Sequence, residues 1–148
     1  MSQQKSLTVP GRYDQIRDIC EFVAAGAKEA SFSDDDIFHI ELACDEACTN
    51  IIEHAYGDED HGSIEVTWVI TSDGFTIIFT DQGQTFDPTT IPAPPSPQDL
   101  KNLDDLGNVK VGGLGLHFMR KLMDKVIFTF EEGKGNQLIM IKKIKGKA

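Results

Sequence analysis

The stretch from Glu41 to Tyr56, ELACDEACTNIIEHAY, constrains the fold of this chain more than any other segment. Its apolar residues, with those just before it, recur at helical spacing and form one stripe that must be buried against other structure. The stripe consists of Ile37, Ile40, Cys44, Ala47, Ile51 and Ala55. Beside it, Glu46, Asn50 and His54 recur every fourth residue along one line. A carboxylate and a carboxamide one turn apart can position a hydroxyl group and hold Mg²⁺ through oxygen, although alone such a pair is more often part of a solvated face.

Hydrophobic periodicity, caps and turn residues predict the other elements of the chain. The predicted elements are a strand over 5–10, helices over 13–29 and 33–56, a hairpin with strands 63–72 and 74–80, a helix over 115–123, and strands over 126–131 and 137–144. No internal repeat interrupts this order, so we expect a single domain over residues 1–148. The order predicts an α+β fold, a two-layer α/β sandwich with helices on one face of a mixed, mainly antiparallel sheet.

The charge and the hydropathy of the chain exclude several classes of protein. A net charge of -10 opposes binding to nucleic acid, and the only basic cluster, Lys142, Lys143, Lys145 and Lys147, is expected to be a solvated end. No apolar run approaches the roughly 18 residues of a membrane helix, and the polar first residues are not those of a signal peptide. We therefore expect a cytoplasmic protein that contacts no membrane. An acidic chain that binds a polyphosphate needs a metal ion or oriented backbone amides, which makes Mg²⁺ a candidate cofactor.

The segment FTDQGQTFDP, from Phe79 to Pro88, is the second candidate for chemistry. Asp81 ends an apolar strand and precedes a glycine turn, which places a carboxylate where it can accept a hydrogen bond from a ligand amine. Gly83 would let the ligand approach the backbone closely. The alternative is an Asx-turn at a strand end, and for this segment alone that alternative is the more common one.

The segment VGGLGLHFMR, from Val111 to Arg120, is the third candidate. Glycines that run straight into an amphipathic helix expose free N–H groups at its positive end, and such an arrangement can bind phosphate. The alternative is a flexible hinge before a helix. The glycine spacing does not match the dinucleotide-binding fingerprint, and the chain has no Gly-Lys-Ser/Thr sequence of a Walker A loop.

In their order and spacing, the three motifs together resemble those of the GHKL (Bergerat-fold) ATPases. The pattern is Glu-x-x-x-Asn with His-Ala-Tyr, then Asp-x-Gly after a strand, then Gly-Gly-Leu-Gly-Leu at the start of a helix. Within that superfamily the chain is similar to the anti-sigma factor serine/threonine kinases of bacteria. The resemblance covers roughly residues 5–143, and it implies the Bergerat ATP-binding fold with ATP and Mg²⁺ as cofactors.

The resemblance also implies roles for individual residues. Glu46 would be the general base for the attacking hydroxyl, and Asn50 would hold the Mg²⁺ that bridges the phosphates. Asp81 would bind the exocyclic amine of adenine, with Gly83 giving room for it. The backbone that would wrap the phosphates belongs to Gly112, Gly113, Leu114 and Gly115.

Further implications concern the lid and the partner surface. The ATP lid would cover about residues 84–113, and Arg17 on the first helix would contact a protein partner. Thr85 stands where the family usually has a second glycine, and Asn136 and Gln137 occupy the place of a threonine near the adenine. Either amide would be able to make that contact.

These implications give a functional hypothesis and two rivals. The hypothesis is a homodimeric, ATP-dependent protein serine/threonine kinase that phosphorylates an anti-anti-sigma (STAS) protein and, in its other state, holds a sigma factor inactive. The first rival is a non-catalytic regulator in which the same fold binds ATP as a conformational switch. The second is a plain α/β interaction module with chance motifs, and failure to bind ATP would favour it.

Overall fold

A five-stranded sheet forms one layer of the protein, and the helices form the other. The computed structural model describes residues 3–84, 119–131 and 133–144. Its strands are β1 (Gln3–Pro10), β2 (Ser63–Ile70), β3 (Gly74–Asp81), β4 (Lys125–Glu131) and β5 (Gly135–Lys143). They lie in the order β1-β2-β3-β5-β4, and every ladder between the described strands is antiparallel. The predicted α+β sandwich is confirmed, but the parallel pair that a mixed sheet would contain is absent from these strands.

Two long helices lie between β1 and β2 in the sequence. A 3₁₀ turn, Tyr13–Gln15, leads into α1 (Ile16–Glu29), and α2 (Asp34–Asn50) follows after a short connection. Ser33 caps α2, because its hydroxyl accepts a hydrogen bond of 3.2 Å from the backbone N–H of Asp36. The acidic residues of the first turn also suit the positive end of the helix dipole.

The second predicted helix changes its geometry before it ends. Residues Ile51–Tyr56 form a π-helical segment, and Gly57 follows it with a positive φ of 82°. The sequence predicted one continuous α-helix over this stretch, so its extent is confirmed and the geometry of its last turns is corrected. A π segment has a wider turn than an α-helix and often occurs at functional sites. The wider turn rotates His54 out of the predicted line of Glu46, Asn50 and His54. Asn50 is buried, whereas His54 is only partly buried.

The core lies between the helices and the face of the sheet that they cover. Every residue of the stripe predicted on the second helix is buried, which confirms that part of the prediction. Alternate residues of the strands meet it, because successive side chains of a strand point to opposite faces. The core members on the sheet include Ile64, Val66, Trp68, Phe75, Ile77, Phe79, Leu138 and Met140.

Parts of the prediction lie outside the described residues. The predicted lid, 84–113, is outside them except for its first residue, and of the predicted helix 115–123 only residues 119–122 are described as helical. The predicted hairpin of β2 and β3 is confirmed, and the strands predicted over 126–131 and 137–144 form a second antiparallel pair, with β3 running to Asp81 and β4 beginning at Lys125. None of the described helices has the length and apolar character that crossing a membrane requires.

One lysine of the predicted basic end is not solvated. Lys142 lies on β5 with 8% of its surface exposed, and its Nζ donates to the carbonyl of Leu122 at 2.8 Å. Asp36, at the start of α2, lies 3.9 Å from the same ammonium group. The strand alternation turns this side chain inward, whereas its neighbour Lys143 is exposed. Lys142 therefore ties the end of the helical segment 119–122 to the start of α2.

α1 packs tightly against the sheet at Gly26. A Cβ at this position would lie 2.5 Å from Cε2 of Trp68, which is 1% exposed. The indole ring therefore occupies the space that any larger residue of α1 would need.

We predict that Gly26→Ala lowers the free energy of unfolding by about 1–3 kcal/mol, because the added methyl group overpacks the core. Helix propensity alone would give the opposite sign, a gain of about 1 kcal/mol. Urea unfolding measures the change. In a Trp68→Leu background the ring is gone, so the same substitution is expected to be neutral or stabilising. An equal loss in both backgrounds would contradict the assigned contact.

Candidate functional site

The end of β3 and the end of the π-helical segment are held together by their backbones. The N–H of Gln84 donates to the carbonyl of Ala55 at 2.7 Å. Gly83 packs so closely on Ala55 that a Cβ at position 83 would lie 2.5 Å from the same carbonyl oxygen. No side chain larger than hydrogen fits there. In the described residues, the room that Gly83 provides is therefore occupied by the helix backbone.

Tyr56, the last residue of the π-helical segment, reinforces this junction. Its hydroxyl donates to the carbonyl of Ser63 at 2.5 Å and accepts from the backbone N–H of Gln82 at 3.0 Å. Gly62 lies against its ring, where a Cβ would overlap the aromatic carbons. One hydroxyl thus connects the end of the helix, the start of β2 and the end of β3.

A pocket of about 210 Å³ opens beside this junction, between the helix layer and the ends of the central strands. One wall comes from α2 and the π-helical segment, and the other comes from β3, β4 and β5. The lining residues are Ala47, Asn50, Ile51, Asp81, Phe128, Thr129, Phe130, Asn136, Gln137 and Leu138. Most of this lining is apolar, with a few convergent polar groups, as is usual for small-molecule sites.

Asp81 is the buried carboxylate of the pocket, with 3% of its surface exposed. Its Oδ1 accepts hydrogen bonds of 2.9 Å from the backbone N–H of Gly83 and from Nδ2 of Asn136. The same amide of Asn136 lies 3.2 Å from the carbonyl of Gly83 and 3.3 Å from that of Gln84. Asn136 faces Asp81 across the β3–β5 ladder, so the strand register brings the two together. Asn136 therefore orients Asp81. The bonds from Gly83 and Asn136 both go to Oδ1 of the carboxylate.

Burial shifts the balance of the Asp81 carboxyl group towards its protonated form. Desolvation is the largest cause and raises the pKa of its carboxyl group, while the hydrogen bonds from Asn136 and Gly83 partly oppose that rise. A carboxylate kept from water in this way gains most from a ligand that donates a hydrogen bond to it.

Asn50 is the most informative polar group of the pocket. It is 2% exposed, and neither its Oδ1 nor its Nδ2 has a hydrogen-bond partner among the described residues. An unpaired buried amide costs about 1–3 kcal/mol, so its presence requires an explanation outside the fold itself. Asn50 lines the pocket, and a ligand in the pocket would satisfy it.

Glu46 lies one turn before Asn50 on α2 and is partly buried. Its Oε2 is enclosed and has no hydrogen-bond partner among the described residues. Desolvation raises the pKa of its carboxyl group, and the charges of Asp45 and Glu53 add to the rise. A raised carboxyl pKa is what a general base that works near neutral pH needs. Glu46 does not itself line the pocket, but Asn50, one turn further along α2, does.

The remaining predicted site residues are not brought to the pocket by the described structure. The Arg17 side chain is 87% exposed on α1, where its Nε lies 3.2 Å from a carboxylate oxygen of Glu21. The predicted phosphate-binding residues Gly112, Gly113, Leu114 and Gly115 lie outside the described residues. Within the described residues, no group of three His, Cys, Asp or Glu side chains is placed to hold a metal ion. A Mg²⁺ here would depend on Asn50 and on ligand oxygens, which is usual for this ion.

Sequence reasoning missed the apolar part of the pocket. Phe128 and Phe130 lie two residues apart on β4, so both point to the helix side of the sheet. Phe130 is 56% exposed, which is unusual for a large aromatic residue in an inward position. The two-residue spacing of these phenylalanines is visible in the sequence and indicates a shared face. Only the pairing of β4 with β5, however, places them beside Asp81. The bond from Asn136 to Asp81 likewise depends on the register.

The fold and the pocket together define a class of protein. It is a two-layer α/β domain in which a helix carrying Glu46 and Asn50 meets a strand that ends in Asp81 and a glycine turn. The model of the Histidine kinase-like ATPase domain family matches residues 9–142, nearly the whole chain. The chain therefore belongs to this family.

Relatives define the branch of the family. Serine-protein kinase RsbW of Halalkalibacterium halodurans is 36% identical over 137 residues, which cover 92% of this chain and 80% of that protein. The proteins of the same name are 31% identical over 127 residues in a strain of Bacillus cereus and 29% identical over 140 residues in Bacillus velezensis. These alignments cover 86% and 95% of this chain, and 78% and 85% of the relatives. They confirm the resemblance to the anti-sigma factor serine/threonine kinases.

The raised pKa of Asp81 predicts a stability cost that depends on pH. The folded state favours the protonated carboxyl, so protonation of Asp81 stabilises the fold. This stabilisation is complete below the unfolded pKa of about 3.9 and is lost as the pH rises through the higher, folded pKa. We expect Asp81→Asn, which keeps an oxygen acceptor, to unfold at higher urea concentration than the wild type at neutral pH. The difference should shrink as the pH falls towards about 4.

Asp73→Asn is the matched control, because Asp73 is exposed in the turn before β3. It should leave the dependence of unfolding on pH unchanged. A wild type and an Asp81→Asn variant with parallel stability curves would contradict the assigned burial cost.

Proposed function

We propose that this protein is an ATP-dependent serine/threonine kinase that phosphorylates a protein of the anti-anti-sigma (STAS) type and, in its other state, holds a sigma factor inactive. The observation that carries the proposal is the buried, unpartnered amide of Asn50 in a pocket with Asp81, one turn from the partly buried Glu46. The family is named for an ATPase domain, and the relatives are named serine-protein kinases. The residues present fit a nucleotide with a divalent cation.

The adenine would occupy the apolar part of the pocket. The free oxygen of Asp81 would accept a hydrogen bond from the exocyclic amine, because the bonds from Gly83 and Asn136 both go to Oδ1. Phe128 and Phe130 supply aromatic surface on the strand side. A carboxylate that is already desolvated and oriented binds a donor with little further cost of reorganisation.

Asn50 would hold the cation through Oδ1, and the phosphates would complete the coordination. When bound, Mg²⁺ supplies neutralisation of charge on the phosphate oxygens. The amide is already fixed in the floor of the pocket by the packing of α2, so it needs no rearrangement to bind. The chain is strongly acidic, with a net charge of -10, and such compensation is needed before a polyphosphate can approach it.

Glu46 would act on the protein substrate. Its carboxylate would accept the proton of the attacking serine or threonine hydroxyl while the new oxygen–phosphorus bond forms. The bond between the γ-phosphorus and its bridging oxygen breaks at the same time, and ADP leaves. The desolvation that raises the pKa of Glu46 improves it as a proton acceptor near neutral pH. Positioning and charge stabilisation supply most of the remaining rate enhancement.

The remaining parts of the proposal come from the resemblance. Gly112, Gly113, Leu114 and Gly115 would wrap the phosphates, and the segment 84–113 would be the lid. Arg17 is exposed on α1 and would contact a protein partner. A homodimer in the cytoplasm belongs to the same proposal.

The rival is a non-catalytic switch in which ATP binding alone tunes a partner. The partly buried position of Glu46 favours the kinase, since a switch has no need for a desolvated carboxylate beside Asn50. The two functions differ in whether phosphate reaches a protein.

We predict that Glu46→Gln lowers the rate of phosphate transfer from radiolabelled ATP to a STAS protein of the same genome by at least about a hundredfold, because general-base catalysis contributes that much. ATP affinity, measured by calorimetry on the same variant, should change little. Asp35→Asn is the control, since Asp35 is an exposed carboxylate in the first turn of the same helix and is not among the charges that act on Glu46. Transfer at the wild-type rate by Glu46→Gln would contradict the assignment of the base, and ATP binding without transfer by the wild type would favour the switch.

A further inference from the structure

Another pocket, of about 310 Å³, opens at the edge of the sheet between β1 and the end of α1. We name it the edge pocket. Its lining residues are Gln3, Gln4, Lys5, Glu29 and Trp68. The edge pocket shares no residue with the pocket of Asn50 and Asp81, which lies among β3, β4 and β5 towards the other edge of the sheet. The proposed nucleotide site therefore leaves the edge pocket without a role.

The edge pocket carries one positive and one negative side chain. Lys5 and Glu29 are both exposed, and they line the same cavity. Among the described residues, no ion pair joins them to each other or to any other side chain. Opposite charges that share a cavity without pairing can each bind the opposite charge of a ligand.

Trp68 positions the ammonium group of Lys5. The two residues face each other across the β1–β2 ladder, so their side chains lie on the same face of the sheet. Nζ of Lys5 lies 5.9 Å from the centroid of the Trp68 ring, which is within the range of a cation–π contact. The ammonium group is thereby held above the bottom of the edge pocket, where it can meet an anionic group.

Trp68 also carries a donor that the fold leaves unsatisfied. The residue is 1% exposed, and its Nε1 has no hydrogen-bond partner among the described residues. Buried polar groups are almost always paired, so an unpaired one requires an explanation. Because Trp68 lines the edge pocket, a ligand oxygen seated beside Lys5 can supply the missing acceptor.

Glu29 lies at the end of the edge pocket that suits a cation. It is the last residue of α1, where the helix dipole is negative. Its carboxylate and the helix end therefore both favour a positive charge. The edge pocket thus has a site for an anionic group at Lys5 and a site for a cationic group at Glu29.

We propose that the edge pocket binds a free α-amino acid, with its carboxylate at Lys5 and its ammonium group at Glu29. A small zwitterion of this kind carries both of the charges that the lining side chains complement. The polar side chains of Gln3 and Gln4 complete the lining. This inference goes beyond the proposed function and does not depend on it, because the two pockets have no residue in common.

The fluorescence of Trp68 tests the proposal, because Trp68 is the only tryptophan of the chain. Glycine, which has both charges and no side chain, is titrated into the full chain and is expected to change the emission saturably. N-acetylglycine lacks the ammonium group and glycinamide lacks the carboxylate. Each is expected to bind at least about tenfold more weakly, because one charge-assisted contact is lost. No saturable change with glycine, or equal binding of the three compounds, would overturn the proposal.

Calorimetry of glycine binding to variants tests the two assigned contacts. Lys5→Gln and Glu29→Gln are each expected to weaken binding at least about tenfold. Lys28→Gln is the matched control, since Lys28 is exposed beside Glu29 but does not line the edge pocket, and it should bind glycine as the wild type does. Unchanged binding by Lys5→Gln and Glu29→Gln, or an equal loss in Lys28→Gln, would overturn the assignment.

The same variants separate this proposal from the proposed function. Lys5 and Glu29 are exposed, so both variants are expected to fold, and circular dichroism checks this. Their affinity for ATP should equal that of the wild type, because neither residue lines the pocket of Asn50 and Asp81. A loss of ATP binding together with glycine binding would show general damage to the fold and would overturn the assignment of these two residues.

Discussion

The close approach of two backbones, at Gly83 and Ala55, is the contact on which the rest of the site depends. Through it the end of the second helix is attached to the end of the central strand β3. Asn50 and Asp81 come from segments far apart in the sequence, and this attachment places both in one pocket. Tyr56 adds a hydroxyl that bonds to both neighbouring strands. Because glycine alone fits at position 83, the geometry of the pocket rests on a residue that has no functional group of its own.

The polar groups of the pocket, and Glu46 beside it, oppose folding. Asn50 is buried without a partner among the described residues, and burial raises the pKa values of both Asp81 and Glu46. A chain selected only for stability would carry apolar residues at such positions. The cost is offset by the large apolar core between sheet and helices, which includes Trp68 and Phe79. The same groups that weaken the fold are the ones to which the proposed function assigns nucleotide binding and proton acceptance.

Local patterns were sufficient for much of the fold. The buried stripe from Ile37 to Ala55 follows the helical period, and the hydroxyl of Ser33 caps the start of the helix. The π-helical segment Ile51–Tyr56 was not predictable, because its wider turn is stabilised by contacts of Ala55 and Tyr56 with distant residues. Lys142 was expected in solvent, and only the strand register shows that it faces inward.

The candidate site was predictable where single side chains carry its chemistry. Asn50 and Asp81 were both named from short motifs, and the structure places both in the pocket. The role of Asn136 in orienting Asp81 arises from the β3–β5 register, which no local pattern specifies. The aromatic wall of Phe128 and Phe130 was missed for the same reason.

The central claim is that Asn50 is buried in order to bind a nucleotide-bound cation. Isothermal titration of ATP, with and without Mg²⁺, into the wild type and Asn50→Ala tests it most directly. Because the amide has no partner in the described fold, the variant should remain folded. The account predicts binding that Mg²⁺ strengthens in the wild type, and a loss of at least about tenfold in that Mg²⁺-dependent affinity in Asn50→Ala. Equal affinities of the two proteins for Mg²⁺ and ATP, or no binding of ATP to the wild type under either condition, would contradict it.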